Sequence, residues 1–218
     1  MTDRAGSHDH GDFHPDRTLQ RDDLLDDPIA QFLVWLDDAE SAGLALAQAV
    51  ALATADARGR PSARNVMLRG VYEGGFVFYT NLGSRKARDL AENPHAAMVF
   101  LWKELSRQVS VTGRVEPASA EESDHYFADR PRDAQLGAWA SKQSTVLSDR
   151  ADLERRFVEA DERYRGMDVP RPPFWAGFRL IPDAVEFWQG RAFRLHDRFA
   201  YTRDDSQGAG WRIERLAP

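Results

Sequence analysis

The sequence predicts an antiparallel β-sheet or β-barrel with flanking helices, an α+β domain, and three observations carry that prediction. Short runs of alternating apolar and polar residues follow one another closely. They are joined by tight turns, such as Ala57-Arg58-Gly59-Arg60 and Glu73-Gly74-Gly75, that are too short for the crossover a parallel sheet requires. Helical periodicity appears only in isolated stretches that open on good caps, and no Gly-rich dinucleotide or phosphate-loop signature occurs.

Taken in order, residues 1–26 are polar, rich in Asp, His and Arg, and without an apolar period, so they are expected to form a flexible arm. His8, His10 and His14 within it have a metal-binding spacing but no carboxylate-supported scaffold. A single domain is expected over 27–218. Asp27 and Pro28 open a helix as N-cap and first residue, and Ile29, Phe32, Leu33 and Leu36 form its apolar stripe, ending near Gly43. Strands are expected over 50–54, 62–72, 76–80, 96–102 and 107–116. Ser119-x-x-Glu122 is a capping box for a short helix. Residues 135–144, small, polar and aromatic, read as a close-contact segment rather than a packed helix face, and 153–164 as a solvated amphipathic helix. Residues 170–173 lead into strands over 175–181, 184–189, 198–202 and 211–216, with a loop over 204–210.

Three places carry candidate chemistry. Ser84 is a good N-cap, so Arg85 and Lys86 fall at the positive end of a helix, where cations cost stability unless an anion such as phosphate is bound or both side chains reach water. Tyr126 and Arg130, four apart, share a helical face and suit a second phosphate. In 186–198 the strand breaks at Gly190 and resumes, placing Arg194, His196 and Arg198 on one face, either opposite an anion or along a charged solvated edge. Gln108 could read a polar heterocycle edge or simply face water.

Composition limits the function classes. The chain has 218 residues and a net charge of -6, which argues against a general nucleic-acid binder. With no cysteine it has neither a disulfide framework nor a thiolate nucleophile. No apolar run approaches a membrane span of ~20 residues, and no signal-peptide core is seen, so a cytoplasmic location is expected. No metal is expected.

These stretches together resemble the pyridoxamine/pyridoxine 5'-phosphate oxidase family. The matching segments are Arg64–Leu68, Phe78-Tyr79-Thr80-Asn81, Ser84-Arg85-Lys86, Arg107-Gln108-Val109, Tyr126-Phe127 with Arg130-Pro131, Gly137-Ala138-Trp139-Ala140-Ser141 and Gln143-Ser144. Glu186-Phe187-Trp188-Gln189-Gly190, Arg194-Leu195-His196-Asp197-Arg198 and Arg215-Leu216-Ala217-Pro218 complete the set. The resemblance implies an FMN-binding split barrel of antiparallel Greek-key type, in a homodimer with FMN at the interface. It implies oxidation of pyridoxine or pyridoxamine 5'-phosphate to pyridoxal 5'-phosphate, with dioxygen reduced to hydrogen peroxide. The FMN contacts it implies are Arg64, Asn65, Val66, Met67, Leu68, Arg69, Tyr79, Thr80, Arg85, Lys86, Gln108, Gln143, Ser144, Trp188 and Arg198. It assigns substrate binding to Arg69, Tyr126, Arg130, Arg194, Leu195 and His196, the catalytic pair being Arg194 and His196. Arg69 stands where relatives often carry Lys, and Ala134 where a Ser usually donates to the substrate phosphate. The arm, with Gly11 and His14, lacks the Arg-x-x-Tyr that closes over the site in some relatives. Alternatives are a related flavin oxidase of phenazine type and a non-catalytic FMN-binding split barrel.

Overall fold

The computed structural model describes residues 17–204 and 210–218; the His8, His10 and His14 spacing, the positions of Gly11 and His14, and most of the 204–210 loop lie outside them. The described residues form helix α1 (Pro28–Ser41), strands β1 (Ala49–Ala55), β2 (Pro61–Met67), β3 (Gly70–Tyr72) and β4 (Gly75–Asn81), and helix α2 (Arg85–Glu92). Next come β5 (His95–Trp102), β6 (Arg107–Pro117), α3 (Ala120–Ala128), α4 (Arg132–Ala140) and α5 (Arg150–Arg163). The chain ends in β7 (Trp175–Gln189), β8 (Asp197–Asp204) and β9 (Gly210–Leu216). The strands make one nine-stranded sheet in the order β2-β1-β5-β6-β7-β4-β3, with β8 pairing β7 and β9. The pairs β1–β2, β3–β4, β4–β7, β7–β8 and β8–β9 are antiparallel.

The described residues divide into two compact units, one comprising 17–47 with 99–110, 184–204 and 210–218, the other 48–98 with 111–183. In the first, Phe32 and Trp35 of α1 pack on Phe100 and Phe187, with ring centroids 4.7 and 5.1 Å apart. Asp27 caps α1 by accepting from the Ile29 and Ala30 N–H groups. The buried face is Phe32, Trp35 and Ala39, turned from the expected stripe so that Leu33 is exposed. The aromatic side chains fill the space over the sheet, and this sets the helix's rotation. Residues 17–26, part of the expected flexible arm, are held: Leu19 and Leu24 are buried, and the Leu25 carbonyl accepts from the Tyr201 hydroxyl at 2.8 Å.

In the second unit, Phe127, Leu136, Ala160, Tyr164, Val169 and Trp175 form a core in which α3, α4 and α5 meet β7. The β3–β4 turn has Glu73 and Gly74 both at positive φ, 49° and 74°, as a type I′ hairpin demands.

Five expectations need correction. Tyr126 and Arg130 do not share a helical face, because α3 ends at Ala128 and Arg130 lies in the turn before α4. The strand expected over 62–72 is two, because the Leu68 N–H bonds the Gln48 carbonyl while the Arg69 N–H bonds Val77, so the chain changes partner between them. The two strands expected between 175 and 189 are one, paired first with β4 and then with β8. Of the close-contact segment expected over 135–144, residues up to 140 are a packed helix face after all: Leu136 and Ala140, one turn apart, are buried, and Gln135 Nε2 donates to the Phe127 and Ala128 carbonyls. Finally, Arg194 and His196 do not lie on a strand with Arg198. Gln189 pairs Asp197, so 190–196 is the connecting loop, with Phe193 and Arg194 at positive φ.

Candidate active site

The second unit holds a cavity of about 480 Å³ lined by Asn65, Val66, Met67, Arg69, Tyr79, Thr80, Lys86, Tyr126, Arg130 and Gln143, among others. That volume lies in the ~300–1,000 Å³ range of small-molecule sites. Two cationic clusters face it.

The first is built at the start of α2. Ser84 caps the helix by accepting from the Ala87 N–H, and the Ser144 hydroxyl accepts from the Arg85 N–H at 3.2 Å. Arg85 itself is exposed, whereas Lys86 is only 8% exposed. Its Nζ donates to Thr80 Oγ1 at 3.1 Å and Gln143 Oε1 at 3.0 Å. Both acceptors are neutral, and among the described residues no carboxylate lies within salt-bridge distance. Burial, and then the charge of Arg64, push its ammonium pKa below the usual lysine range. Arg64, by contrast, is satisfied within the chain: its guanidinium donates to the Leu52 carbonyl at 3.2 Å and Thr54 Oγ1 at 2.8 Å, with Asp89 at 3.8 Å. Burial raises the Asp89 carboxyl, but bonds from Thr54 and Ser62 and the charges of Arg85 and Arg64 leave it below the usual carboxylate range.

The second cluster rests on aromatic faces. Tyr79 stacks on Tyr126 at 4.1 Å and on Trp175 at 5.2 Å, in each case within 8° of parallel. Gly177 pairs Tyr79 across β4–β7, and a Cβ there would lie 2.7 Å from the Tyr79 ring, so this stacking needs glycine. The Arg130 guanidinium sits 4.9 Å from the Trp175 ring centroid and 5.6 Å from that of Phe127. Arg69 lies 5.9 Å from the Tyr126 ring. Arg130 Nη1 is buried with no hydrogen-bond partner, and no carboxylate among the described residues pairs with Arg69 or Arg130. Burial lowers the pKa of Arg130; Tyr126 opposes that shift and Arg69 adds to it. An unpaired buried donor beside a second cation is an arrangement suited to an anion.

Of the expected site residues, Asn65, Val66, Met67, Arg69, Tyr79, Thr80, Lys86, Tyr126, Arg130 and Gln143 are thus brought together, while Arg64, Leu68, Arg85 and Ser144 support the wall from behind or beside it. Gln108, Trp188, Arg194, Leu195, His196 and Arg198 belong to the first unit and line no part of this cavity. There, the Gln108 side chain makes only a long contact, 3.5 Å, to Ser110 Oγ. Arg198 is held by both oxygens of Glu186, at 2.7 and 3.1 Å, so the anion opposite this arginine is the chain's own. The His196 ring lies 4.5 Å from Trp188, and its Nδ1 accepts from the Arg191 N–H at 3.1 Å. Burial and then Arg194 lower the His196 pKa against the pull of Asp197. Trp175, Asn81 and Ser141 also line the cavity and were not anticipated. Only its place at the start of the strand expected over 175–181 marked Trp175, and nothing in the sequence tied it to Arg130.

Comparison with known proteins decides the family. Residues 36–164 match the family described as pyridoxamine 5'-phosphate oxidase, and residues 175–218 match the pyridoxine 5'-phosphate oxidase C-terminal dimerisation region. The chain belongs to the pyridoxamine 5'-phosphate oxidase family. Relatives in it include the pyridoxine/pyridoxamine 5'-phosphate oxidases of Burkholderia multivorans, 56% identical, and Burkholderia vietnamiensis, 54% identical. Each alignment covers 92% of this chain and 94% of the relative. Among solved structures, PhzG from Burkholderia lata, in complex with tetrahydrophenazine-1-carboxylic acid, is 33% identical with a TM-score of 0.87, covering 94% of this chain and 99% of its own. A pyridoxamine 5'-phosphate oxidase-related, FMN binding protein from Nostoc punctiforme, 19% identical with a TM-score of 0.71 over 89% of this chain and all of its own, shares the fold. The fold is therefore the family's split barrel with flanking helices. Among the described residues no helix is long and apolar enough to cross a membrane, and no three His, Asp or Glu side chains gather as a metal site.

Proposed function

We infer that the chain is an FMN-dependent oxidase of B6 phosphates. Pyridoxine 5'-phosphate and dioxygen give pyridoxal 5'-phosphate and hydrogen peroxide; pyridoxamine 5'-phosphate, dioxygen and water give the same products and ammonia. It acts as a homodimer, consistent with the dimerisation region at 175–218, and we place it in the cytoplasm. The observation that carries the reading is the presence, in one cavity, of two sets of cations, Lys86 and the Arg69–Arg130 pair, that have no carboxylate partner among the described residues, matching a reaction whose cofactor and substrate each bear a phosphate.

The residues fit FMN. Lys86 is a buried cation with neutral acceptors only, beside a capped helix start, which is the donor set a phosphate monoester requires. We assign the FMN phosphate to Lys86 with Arg85, Arg64 and Ser144, and the rest of the cofactor to Asn65, Val66, Met67, Leu68, Arg69, Tyr79, Thr80 and Gln143. FMN held by these residues would supply the two-electron redox chemistry that links oxidation at the substrate's 4' carbon to dioxygen. Tyr126, Arg130 and Arg69 hold the substrate phosphate, so the pyridine ring is anchored at one edge and oriented before reaction. Gln108, Trp188, Arg194, Leu195, His196 and Arg198 are absent from the cavity wall of their own chain, and we propose that they serve the cavity of the second copy. Arg194 positions the 4' substituent. Because His196 Nδ1 is already an acceptor, the proton of the neutral ring is on Nε2, and His196 acts from there as a hydrogen-bond donor.

The test is the absorbance spectrum of purified protein under anaerobic addition of pyridoxine 5'-phosphate. Flavin bands should bleach, then return with air as pyridoxal 5'-phosphate appears. Bands that never bleach with either B6 phosphate would refute the substrate assignment, and protein that takes up no FMN would refute the cofactor site.

A further inference from the structure

Behind the second cationic cluster, and outside the cavity, lies a buried charge that the reaction does not use. Arg179 of β7 is 8% exposed, and its Nη2 is shared between Glu73 in the β3–β4 turn, at 2.7 Å, and Glu122 of α3, at 2.5 Å. Its Nε is buried without a partner. Burying a guanidinium with an orphan donor is a poor way to gain stability, since desolvation offsets most of the Coulombic attraction. Its two carboxylates stand on two separate elements, which it holds to β7.

Those elements lead to the cavity. Glu122 is the third residue of α3 and closes the Ser119 capping box; Tyr126 is one turn further along the same helix. On the other side, the Arg179 guanidinium lies 5.3 Å from the Tyr72 ring centroid, and the Tyr72 hydroxyl is 3.2 Å from that of Tyr79. Tyr79 in turn stacks on Tyr126 at 4.1 Å. Arg179 therefore reaches the Tyr126 ring by two routes: through the start of its helix, and through the two-tyrosine bridge against its face. Tyr72 is exposed and lines no part of the cavity, so its hydroxyl has no contact role in binding.

We propose that Arg179 and Tyr72 are positioning residues for the substrate-phosphate clamp: the Arg179–Glu122 and Arg179–Tyr72–Tyr79 contacts fix the setting of Tyr126, and with it the clamp formed with Arg130. The proposal rests on the assignment of Tyr126 and Arg130 to the substrate phosphate. It predicts a loss in phosphate binding from two residues that touch no ligand, with no loss in the chemical step.

The experiment compares the parent holoenzyme with Tyr72→Phe, Arg179→Met and Arg179→Lys, measuring Tm, kcat and KM for pyridoxine 5'-phosphate, and calorimetric Kd for pyridoxal 5'-phosphate. Tyr72→Phe removes one neutral hydrogen bond and is expected to raise KM and Kd about 2- to 10-fold, with kcat and Tm near the parent. Arg179→Met should raise both further, and Arg179→Lys, which keeps the charge but cannot span two carboxylates in the same way, should recover only part. Unchanged KM and Kd in Tyr72→Phe, or a Tm loss in Arg179→Met without a change in Kd, would overturn the proposal. A parent that binds pyridoxal 5'-phosphate but turns over neither B6 phosphate would refute the oxidase reading alone, because the calorimetric comparison still decides the positioning role. A parent that does not bind pyridoxal 5'-phosphate would overturn both.

Discussion

The two cationic clusters of the cavity keep their charges in different ways. Lys86 is held among neutral acceptors, Thr80 and Gln143, deep enough that burial works against its charge. Arg130 and Arg69 are laid on aromatic faces, with Arg130 Nη1 left buried and unbonded. Arg64 and Arg198 show the contrasting case: each sits in a network completed by the chain itself, with Asp89 and Glu186 respectively. A cation whose anion is supplied by the chain can offer a ligand only its remaining donors, whereas one left among neutral or aromatic neighbours keeps its full capacity to bind. A point charge such as Lys86 accepts an anion from many directions, while the planar fork of Arg130, fixed against Trp175, accepts one in few. The Lys86 cluster is thus suited to holding a cofactor tightly, and the Arg130 cluster to orienting a substrate.

The largest effect that would break this comparison is expected at Arg130. Arg130→Leu removes a charged hydrogen bond of about 1.5–3 kcal/mol, so KM for pyridoxine 5'-phosphate should rise about 10- to 100-fold, with FMN content unchanged by absorbance. Loss of FMN from this variant would mean that the two clusters do not divide their work as described. Lys86→Met should act the other way round. FMN affinity, followed by flavin fluorescence, should fall about 10-fold or more for loss of a charged contact. The Tm of the FMN-free protein should hold or rise, because a buried cation without a carboxylate has been removed.

The pH dependence sharpens the same point. The folded-state pKa of Lys86 is lowered, so the cost of its buried charge is full below the folded pKa and is relieved as pH rises from there to the unfolded pKa, where the unfolded chain still holds the proton. Stability of the FMN-free protein therefore gains from Lys86 on the alkaline side, starting below the usual lysine range. FMN affinity falls over that same interval, because the neutral amine no longer attracts phosphate. Lys86→Arg, which stays charged, should flatten the alkaline fall in affinity; an unaltered profile would assign that fall to another group.

Much of this was legible in the sequence, and what was not has a physical reason. Caps are local, so Asp27, Ser84 and Ser119 could be read from single residues and their neighbours. Lys86 followed from helix geometry, which is also local, but the shared helical face read for Tyr126 and Arg130 did not hold, because α3 ends at Ala128 and Arg130 lies in the turn before α4. The partner change at Leu68–Arg69 and the continuity of β7 depend on which distant strands supply hydrogen bonds, and the alternating pattern is the same either way. The strand expected at Arg194 failed for a related reason: Arg-x-His-x-Arg has the period of a strand, but the register fixed by Gln189 and Asp197 turns its first half into a loop. Trp175 and the Arg179 contacts are long-range packing, to which no spacing rule applies.

The smallest effect is expected at Ala134 of α4, which lines the cavity with Arg130. In this chain the side chain there is a methyl group, so the clamp proposed for the substrate phosphate would have two guanidinium groups and a phenol but no hydroxyl from α4. Ala134→Ser adds one neutral donor, worth about 0.5–1.5 kcal/mol when satisfied, and KM should fall about 2- to 10-fold while kcat and FMN affinity stay put. The sign depends on where the phosphate sits. A serine hydroxyl on a half-buried helix surface that meets no ligand bonds its own helix carbonyl and changes nothing. An unchanged KM in Ala134→Ser would therefore place the phosphate against Arg69 and Tyr126, away from α4, and an increase would show that the methyl group makes room the substrate needs.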